Sequence, residues 1–487
     1  MTFTKNRQIL VNHQKNEGYF RKLAWALIAG ISLYSVYLIN KLPNSVSFNK
    51  AFIGLAIVWI GIFPSIQYLL DRKRSPIPFF PLVGMYYVTN YGLPIFATNA
   101  DRDMKFPLSS VTEGALCLAM IGLLGLNIAF FATRFFLLNK ITPIKFLKTY
   151  SLPKLINVLV VLLTAHLAFL YVPFVKTIPS LDQFLDPIGF VAFGMFLIFW
   201  MRGQLSSLPL KIFIGIAFLL EIVSRFASGA LAQVMFLGLF IAVIIWYECK
   251  KIPIVLIGSI LLFFITFNSI KPEFRSLTWD GEYAESSPIE KAQLFINIAI
   301  DHYFYSGSNE IAKNTIENST DSAVDRTATI ALFSSVIEDT PKLVSYWNGE
   351  TYRYLLVSFI PRFIWADKPN NSVGNEFGRR YSYLGEDDFG TSLNLPWIVE
   401  MYANFGYLGV LIGMPLVGIF LSIFDLVFNS LKMESLDVAL SATILLNLIY
   451  EDSNFTVMVG AVIPFILALY VIFTFFVGSQ SNQIKKV

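Results

Sequence analysis

The sequence predicts an all-α, polytopic membrane protein with about twelve transmembrane helices and one large external loop. Three observations lead to this class: the composition, the spacing of apolar stretches and the distribution of lysine and arginine. Of the 487 residues, 55% are hydrophobic and 14% are charged, and the mean hydropathy is +0.61. Soluble domains average about 45–50% apolar and about 25% charged residues. The composition therefore excludes an ordinary soluble protein.

Apolar stretches near the length of a membrane span recur along the chain. A span uses about 20 mostly apolar residues. Twelve stretches fit, at about 23–40, 51–70, 78–98, 111–133, 154–175, 187–201, 208–227, 229–248, 252–270, 406–428, 436–450 and 456–478. The third is interrupted by Pro81, Gly92 and Pro94, and the sixth is short. Either of these two could be a kinked or re-entrant segment.

The positions of lysine and arginine predict the orientation, because these residues accumulate on the cytoplasmic side. With a cytoplasmic N-terminus, the inside segments hold 20 basic residues and the short outside loops hold six. Both termini are then cytoplasmic. The chain divides into a membrane domain at 1–270 with nine spans, an external loop at 271–405 and a membrane domain at 406–487 with three spans.

The external loop is where we expect chemistry, since long loops within compact proteins usually carry function. It holds 11 basic and 19 acidic residues. Amphipathic periodicity predicts short helices at 288–317 and 322–346. From 361 to 396 this periodicity is lost and proline and glycine recur, which predicts an irregular loop.

Basic residues of this loop are candidates for binding a phosphate or pyrophosphate. Arg362 and Lys368 lie six residues apart among apolar and aromatic residues, and Arg379 and Arg380 follow. Guanidinium groups match phosphate geometry and lysine supplies a point charge. Arg275, just beyond the ninth span, could join them or could extend to the membrane interface. The alternative for the whole set is solvated or internally paired charges that anchor the loop on the bilayer.

Ionisable residues inside predicted spans are costly and are functional candidates. Glu221 and Arg225 have the i,i+4 spacing of a helical ion pair, which is the simplest interpretation of both. In the alternative, Arg225 faces a cavity that holds an anionic ligand. His166 and Asp425 are interpreted as helix-contact or helix-end residues.

A carboxylate at the start of the tenth span is a candidate general base. Glu400 is followed by Tyr402, Asn404, Gly406 and Gly409, so it lies at a crowded membrane surface. A carboxylate there could deprotonate a sugar hydroxyl. The alternative is a helix-start glutamate that is favoured by the helix macrodipole.

Other chemistries have no support in the sequence. The two cysteines have dissimilar settings and suggest neither a disulfide nor a metal site. Motifs for phosphate loops, nucleophile elbows and zinc proteases are absent. We therefore expect no metal site. The net charge of +4 is small for a chain of this length and implies no nucleic-acid partner.

The chain resembles the Wzy-type oligosaccharide repeat-unit polymerases of bacterial O-antigen, lipopolysaccharide and capsule biosynthesis. The likeness rests on about twelve spans with a large external loop late in the chain. It rests also on two motifs, Ile360-Pro-Arg362-Phe-Ile-Trp-Ala-Asp-Lys368-Pro369 and Glu400-x-Tyr-x-Asn-Phe-Gly406-x-x-Gly409. Arg379 and Gly390 also fit an Arg-x10-Gly spacing found in part of that family.

The resemblance implies a GT-C-like, metal-independent, inverting glycosyltransferase in the bacterial cytoplasmic membrane. Its donor would be a glycan on undecaprenyl pyrophosphate, and its acceptor an incoming lipid-linked repeat unit at the outer leaflet. No cofactor would be required, because the pyrophosphate linkage stores the energy. A flippase and a chain-length regulator are implied as partners.

The site residues implied by the resemblance fall into two groups. Cations would stabilise the pyrophosphate leaving group: Arg362, Lys368, Arg379 and Arg380, with Arg275 in support and Arg225 and Tyr402 as further ligand contacts. The base would be Glu400 or, second, Asp388.

Two alternatives stay open at this point. An O-antigen ligase shares the fold and donor but usually needs a loop histidine, and His302 lies far along the chain from the arginine-rich part. A non-enzymatic transporter of lipid-linked glycans would show charges through its spans and internal repeats. Here charge is concentrated in one external segment, which favours an enzyme.

Overall fold

A computed structural model describes residues 2–44, 46–97, 106–147, 150–229, 231–268, 270–279, 281–302, 329–369 and 372–477. Within these ranges helices are the main secondary structure, and turns and irregular segments join them. The helices are α1 Thr2–Asn40, α2 Phe48–Leu70, α3 Phe79–Tyr87, α4 Glu113–Leu137, α5 Leu152–Tyr171, α6 Pro173–Lys176, α7 Asp182–Met201, α8 Leu208–Ala227, α9 Leu231–Cys249, α10 Ile254–Asn268, α11 Lys271–Thr278, α12 Pro288–Ile300, α13 Thr329–Asp339, α14 Leu355–Ser358, α15 Val373–Arg380, α16 Trp397–Phe428, α17 Ser435–Leu446 and α18 Phe455–Val471.

The chain is an all-helical, multi-pass membrane protein. Seven helical segments are long and apolar enough to cross a bilayer: Glu17–Asn40, Phe48–Leu70, Glu113–Leu137, Leu152–Tyr171, Asp182–Met201, Trp397–Phe428 and Phe455–Val477. Gln233–Cys249, Ile254–Phe264 and Ser435–Leu446 are shorter apolar helices. All twelve predicted stretches thus carry helix, and the number of twelve spans stays a prediction.

The third predicted stretch is interrupted, as its prolines and glycine suggested. Helix α3 continues into a π-turn at Val88–Gly92 and a 3₁₀ turn at Pro94–Phe96. Pro94 has no N–H to donate to the helix, so the regular hydrogen-bond ladder stops there. The eighth helix, α8, has 20 residues and carries three charged side chains, Lys211, Glu221 and Arg225.

Small residues let two pairs of helices approach closely, as is common in membrane bundles. Helix α16 packs along α4, where a Cβ on Gly418 would overlap the carbonyl oxygen of Leu126. At the far end of this contact Arg134 of α4 forms an ion pair with buried Asp425 of α16. Helices α2 and α3 cross so closely that a Cβ on Gly84 would overlap the carbonyl oxygen of Gly61.

Helix α16 begins at Trp397, nine residues before the predicted start of its span, and bends at Gly406. Gly406 has φ 62° and ψ −144°, a backbone conformation that glycine adopts without steric cost. The bend frees the carbonyls of Ala403 and Asn404, which accept the N–H groups of Trp347 and Asn348 at 3.0 and 3.2 Å. The chain at 347–349 is thereby fixed to the bend.

The segment 271–405, predicted to be external, contains both predicted amphipathic helices in part. Helix α12 lies in the first predicted range and α13 in the second, while 303–328 lies outside the described residues. The prediction of an irregular loop from 361 to 396 is wrong at α15. Val373, Phe377 and Tyr381 are buried there at a spacing of four, so a two-turn helix has an apolar face that is too short for periodicity to reveal.

Candidate functional site

An open cleft of about 600 Å³ lies where the ends of α5 and α8 meet the starts of α7 and α18. Under the predicted orientation these are outer ends. Its polar lining consists of Lys176, Asp182, Gln183, Asp186, Ser224, Arg225, Ser228, Gln233, Asn447 and Ser453. Apolar residues of α18, among them Val457 and Met458, form another wall. The cleft combines charged groups with an apolar surface that continues along a membrane helix.

Arg225 lies at the junction of this cleft and the protein interior. Its Nε donates to Glu221 Oε1 at 2.7 Å, as the i,i+4 spacing predicted. One terminal nitrogen donates to Asp186 Oδ1 at 2.6 Å, and the other to Gln233 Oε1 at 3.1 Å and to Asp186 Oδ2 at 3.4 Å. The Arg225 side chain is 6% exposed and that of Asp186 is 37% exposed. Asp186 is therefore the partner that faces the cleft.

The same network continues inward to a histidine. His166 Nε2 lies 2.6 Å from Glu221 Oε2, and His166 Nδ1 lies 2.8 Å from the carbonyl oxygen of Leu185. A carbonyl accepts but never donates, so Nδ1 carries a hydrogen. One more proton then lies between Nε2 and the carboxylate, on one or the other. His166 thus makes a helix contact, as predicted, within a chain of four ionisable groups: His166, Glu221, Arg225 and Asp186.

The Arg362–Lys368 loop packs beside this cleft. The backbone N–H of Arg362 donates to Ser180 Oγ at 3.1 Å, and the ring of Phe363 lies 5.9 Å from that of Phe184 in α7. The loop also touches α18, because a Cβ on Gly460 would overlap Ser358. Two of the predicted pyrophosphate contacts therefore belong to a loop that packs against the chain at the start of α7, close to the cleft.

Both cations of this loop also hold the loop together, as the alternative interpretation suggested. The Arg362 guanidinium donates to the carbonyl oxygens of Lys368 and Pro369 at 2.7 and 3.1 Å. Lys368 Nζ donates to the carbonyl oxygens of Ser358 and Ile360 at 3.0 and 2.8 Å. Partial burial, together with the Arg362 charge, lowers the pKa of Lys368.

Arg275 lies close to the same region. Its guanidinium stacks 4.1 Å from the ring centre of Trp279. Its aliphatic stem passes the α8–α9 turn at Gly229, which follows the cleft residue Ser228. Arg275 is therefore the third predicted cation that the fold brings near the cleft, after Arg362 and Lys368.

Arg379 and Asp388 take part in a different cluster of contacts, which holds the loop that follows α15 against that helix. Arg379 Nε donates to Asn375 Oδ1 at 2.9 Å and lies over the Phe389 ring. Asn375 Nδ2 donates to the carbonyl oxygen of Asp388 at 2.7 Å, and the Asp388 carboxylate accepts the N–H groups of Gly390 and Thr391. These contacts hold the loop between Arg379 and Gly390 together, so the Arg-x10-Gly spacing of these two residues has a local structural explanation.

Arg380 is directed to yet another surface. Its guanidinium donates to the backbone and hydroxyl oxygens of Ser345 at 2.9 and 3.0 Å and lies 4.3 Å from the Trp347 ring centre. Arg379, Arg380 and Asp388 are thus brought near one another by α15 but do not line the cleft described above.

Glu400 belongs to the first turn of α16, and its side chain lies behind the cleft wall, where it reaches the N-terminus of α18. It is fully buried, and its Oε2 accepts the N–H of Phe455 at 2.7 Å. Asn454 caps the same helix by accepting the N–H of Val457 at 3.0 Å. A carboxylate at a helix N-terminus is favoured by the macrodipole. Glu400 occupies that setting in both its own helix and α18, as the alternative interpretation held.

The other residues of the Glu400 motif support the bend in α16. Asn404 donates to Thr351 Oγ1 and accepts the N–H of Gly349, both at 2.8 Å. Tyr402 is 2% exposed, and its hydroxyl lies 3.4 Å from the carbonyl oxygen of Thr340. A Cβ on Gly409 would overlap the backbone of Met401. The motif therefore has a structural role in joining the chain at 340–351 to helix α16.

A second buried carboxylate, Glu451, precedes α18. Its Oε2 accepts the hydroxyl of Tyr87 at 2.5 Å, and its backbone carbonyl accepts the N–H of Trp397. Burial raises the pKa of Glu451 to about 8, and the hydrogen bond from Tyr87 opposes that rise. The group is therefore largely protonated at neutral pH.

Glu451 should make the protein less stable as the pH rises. The folded state keeps a proton up to about pH 8 that the unfolded state loses near pH 4.5. Between these values folding binds a proton, so the free energy of unfolding falls by up to about 1.4 kcal/mol per pH unit. Thermal unfolding in detergent from about pH 5 to 8 should show a shallower slope in Glu451→Gln than in the wild type. The exposed control Glu386→Gln should keep the wild-type slope, and equal slopes in all three proteins would exclude this role.

Sequence reasoning missed several polar residues of the cleft, notably Lys176, Asp182, Asp186 and Gln233. Asp182 and Asp186 have i,i+4 spacing at the start of α7, which puts both on one face of the helix. That signal was available, but their proximity to Arg225 depends on how α7 packs against α8. In the described part of the chain no group of three or more His, Cys, Asp or Glu residues is arranged to hold a metal ion.

Comparisons with known proteins give one family. No curated protein matches the chain, and no solved structure matches it. A family model described as a domain of unknown function, DUF8712, matches residues 118–484. This range is well over half of the chain and contains the cleft, the external segment and α16. The chain therefore belongs to the DUF8712 family.

Proposed function

We propose that this protein is a glycosyltransferase that polymerises undecaprenyl-pyrophosphate-linked repeat units at the outer face of the bacterial cytoplasmic membrane. The observation that carries the proposal is the open cleft lined by Arg225 and Lys176, beside the loop of Arg362 and Lys368. A lipid-linked donor needs a cationic site for its pyrophosphate and an apolar path for its lipid. The cleft offers two cations, Arg225 and Lys176, beside the carboxylates of Asp182 and Asp186, and α18 offers an apolar wall.

The reaction would need little besides charge and positioning. The pyrophosphate leaves with the bonding electron pair, and preorganised cations stabilise the charge that develops on it. Arg225 and Lys176 would contact it in the cleft, and Arg362, Lys368 and Arg275 would strengthen the positive potential around it. An acceptor hydroxyl attacks from the opposite side, and a carboxylate takes its proton.

A lipid-linked glycan transporter is the second candidate, and one specific observation favours it. His166, Glu221, Arg225 and Asp186 form a connected chain of ionisable groups between α5, α7 and α8. Chains of this kind occur in proton-coupled transporters. A transporter would move the glycan across the bilayer without forming a glycosidic bond.

The deciding experiment uses the purified protein in detergent with a lipid-pyrophosphate-linked repeat unit and EDTA. A polymerase produces a ladder of products on a gel. Transfer of the glycan to a different acceptor would instead indicate a ligase. Movement of the lipid across vesicles with no new glycosidic bond would indicate the transporter.

The loop beside the cleft provides the first variant to test. Arg362→Ala should reduce polymer formation at least about tenfold, because loss of its two carbonyl contacts opens the loop and removes a charge near the leaving group. The control Arg353→Ala removes an exposed arginine whose partners are Glu350, Glu376 and the Tyr354 ring. Normal polymer yield from Arg362→Ala, measured beside that control, would remove the loop from the site.

A further inference from the structure

We propose that Asp186 is a displaceable internal anion, which holds Arg225 until a diphosphate takes its place and then serves as the catalytic base. Only the second half of this inference, the role of Asp186 as catalytic base, rests on the proposed function. The exchange of partners at Arg225 concerns binding and can be tested without any glycan.

The three partners of Arg225 differ in a way that suits an exchange. Glu221 is 1% exposed and holds Nε from within the protein, and Gln233 holds one terminal nitrogen. Asp186 is the more exposed of the two carboxylate partners, at 37% against 1% for Glu221, and it lines the open cleft. If Asp186 turns away, the other two contacts keep the guanidinium in position. The vacated side of the fork then faces the cleft.

The charges of the network favour an anion at that position. The proton between His166 and Glu221 makes this pair neutral overall, whichever of the two carries it. Arg225 and Asp186 then balance each other. Displacement of Asp186 leaves one uncompensated positive charge in a mostly buried setting, which is costly unless another anion pairs with it.

A phosphate group is the ligand chemistry that fits this fork. Guanidinium groups bind phosphate through two parallel N–H bonds, in the same geometry as carboxylate, and phosphate carries more negative charge. Lys176 lines the same cleft and supplies a second cation. A diphosphate offers oxygens to both. A hydrocarbon attached to it could follow the apolar side chains of α18, Val457, Met458 and Ala461.

The displaced carboxylate remains on the cleft, where it can turn toward the face of the donor sugar opposite the diphosphate. A carboxylate that loses its cationic partner becomes a stronger base. Asp186 takes the proton of the acceptor hydroxyl as that oxygen forms a bond to the donor sugar carbon. The bond from this carbon to the phosphate oxygen breaks, and the pyrophosphate leaves with the electron pair. Asp186 is better situated for this step than Glu400, which is fully buried, or Asp388, which caps its own loop.

The binding half is tested with farnesyl pyrophosphate and the purified full-length protein in detergent, by titration calorimetry. Asp186→Asn removes the competing anion and should bind the probe about tenfold more tightly than the wild type. Asp182→Asn removes a carboxylate from the same cleft that is not among the Arg225 partners, so it controls for net charge and should change binding about twofold or less. Arg225→Gln should lose most of the affinity. Equal or weaker binding by Asp186→Asn, or the same gain in Asp182→Asn, would overturn the exchange.

The catalytic half is tested with the lipid-linked repeat unit. Asp186→Asn should lose at least about 100-fold in transfer rate although it binds the probe more tightly, and Asp186→Glu should recover part of the rate. A merely structural role would not combine tighter binding with lost turnover. Full transfer by Asp186→Asn would overturn the role as base. If the wild type transfers nothing while Asp186→Asn still binds more tightly, the exchange stands and the polymerase proposal falls.

Discussion

Glu221→Ala is expected to lower the free energy of unfolding by about 3–5 kcal/mol, the usual cost of removing one partner from a buried ion pair. Glu221 is 1% exposed, its Oε1 accepts a hydrogen bond from Arg225, and its Oε2 shares a proton with His166. Alanine leaves Arg225 Nε without its buried acceptor and leaves His166 Nε2 without its partner. Thermal unfolding in detergent, followed by intrinsic fluorescence, measures the effect.

The matched control is Glu248→Ala. Glu248 also pairs with an arginine at a helix end, Arg202, through contacts of 2.9 and 3.0 Å. The Arg202 side chain is 42% exposed, however, and exposed pairs contribute about 0–1 kcal/mol. A loss as large for Glu248→Ala as for Glu221→Ala would mean that burial does not determine the cost.

Gly84→Val is expected to destabilise the protein by about 3 kcal/mol or more, because no side-chain rearrangement can make room for the new atoms. The obstacle is the backbone carbonyl of Gly61 in α2. Helices α2 and α3 would have to separate, and α3 carries Tyr87, the hydrogen-bond partner of Glu451. The expected result is a large drop in the thermal midpoint together with loss of the Glu451 pH effect.

Gly30→Val serves as the comparison for this variant. Gly30 lies within α1, and nothing lies within 4 Å of a Cβ built there. The two variants therefore make the same change of side chain, and only one of them meets a backbone. If both lower the thermal midpoint equally, helix propensity rather than the α2–α3 crossing accounts for the loss.

Helices and contacts between residues close in the sequence could be predicted, whereas contacts between residues far apart in the sequence could not. Apolar length alone gives the helical stretches, and the Glu221–Arg225 pair follows from i,i+4 spacing within one helix. The partners of His166 and Asp186 come from other helices, 55 and 39 residues away. Such pairings depend on how helices pack, for which a single sequence carries no periodic signal.

The Glu400 motif illustrates the same limit at the candidate site. Its residue types suggested a base at a crowded surface, and its spacing was compatible with a helix start. The deciding contact is the N–H of Phe455, 55 residues further along the chain. The carboxylate therefore belongs to the packing of α16 against α18, which only the folded chain reveals. Asp186 became a candidate for the opposite reason, since the fold leaves it at the edge of a cleft.

The Arg134–Asp425 ion pair has a consequence for biosynthesis. Its two residues are 291 positions apart, so at about 5–20 residues per second α4 is made roughly 15–60 s before its partner helix. Throughout that interval the groove of α4 at Gly122 and Gly125 has no occupant from α16, and Arg134 has no counter-charge from Asp425. The contact between α4 and α16 can thus be completed only after translation has passed residue 428. A ribosome that stalls earlier leaves a nascent chain in which α4 lacks this partner helix, and such a chain is then a substrate for membrane quality control.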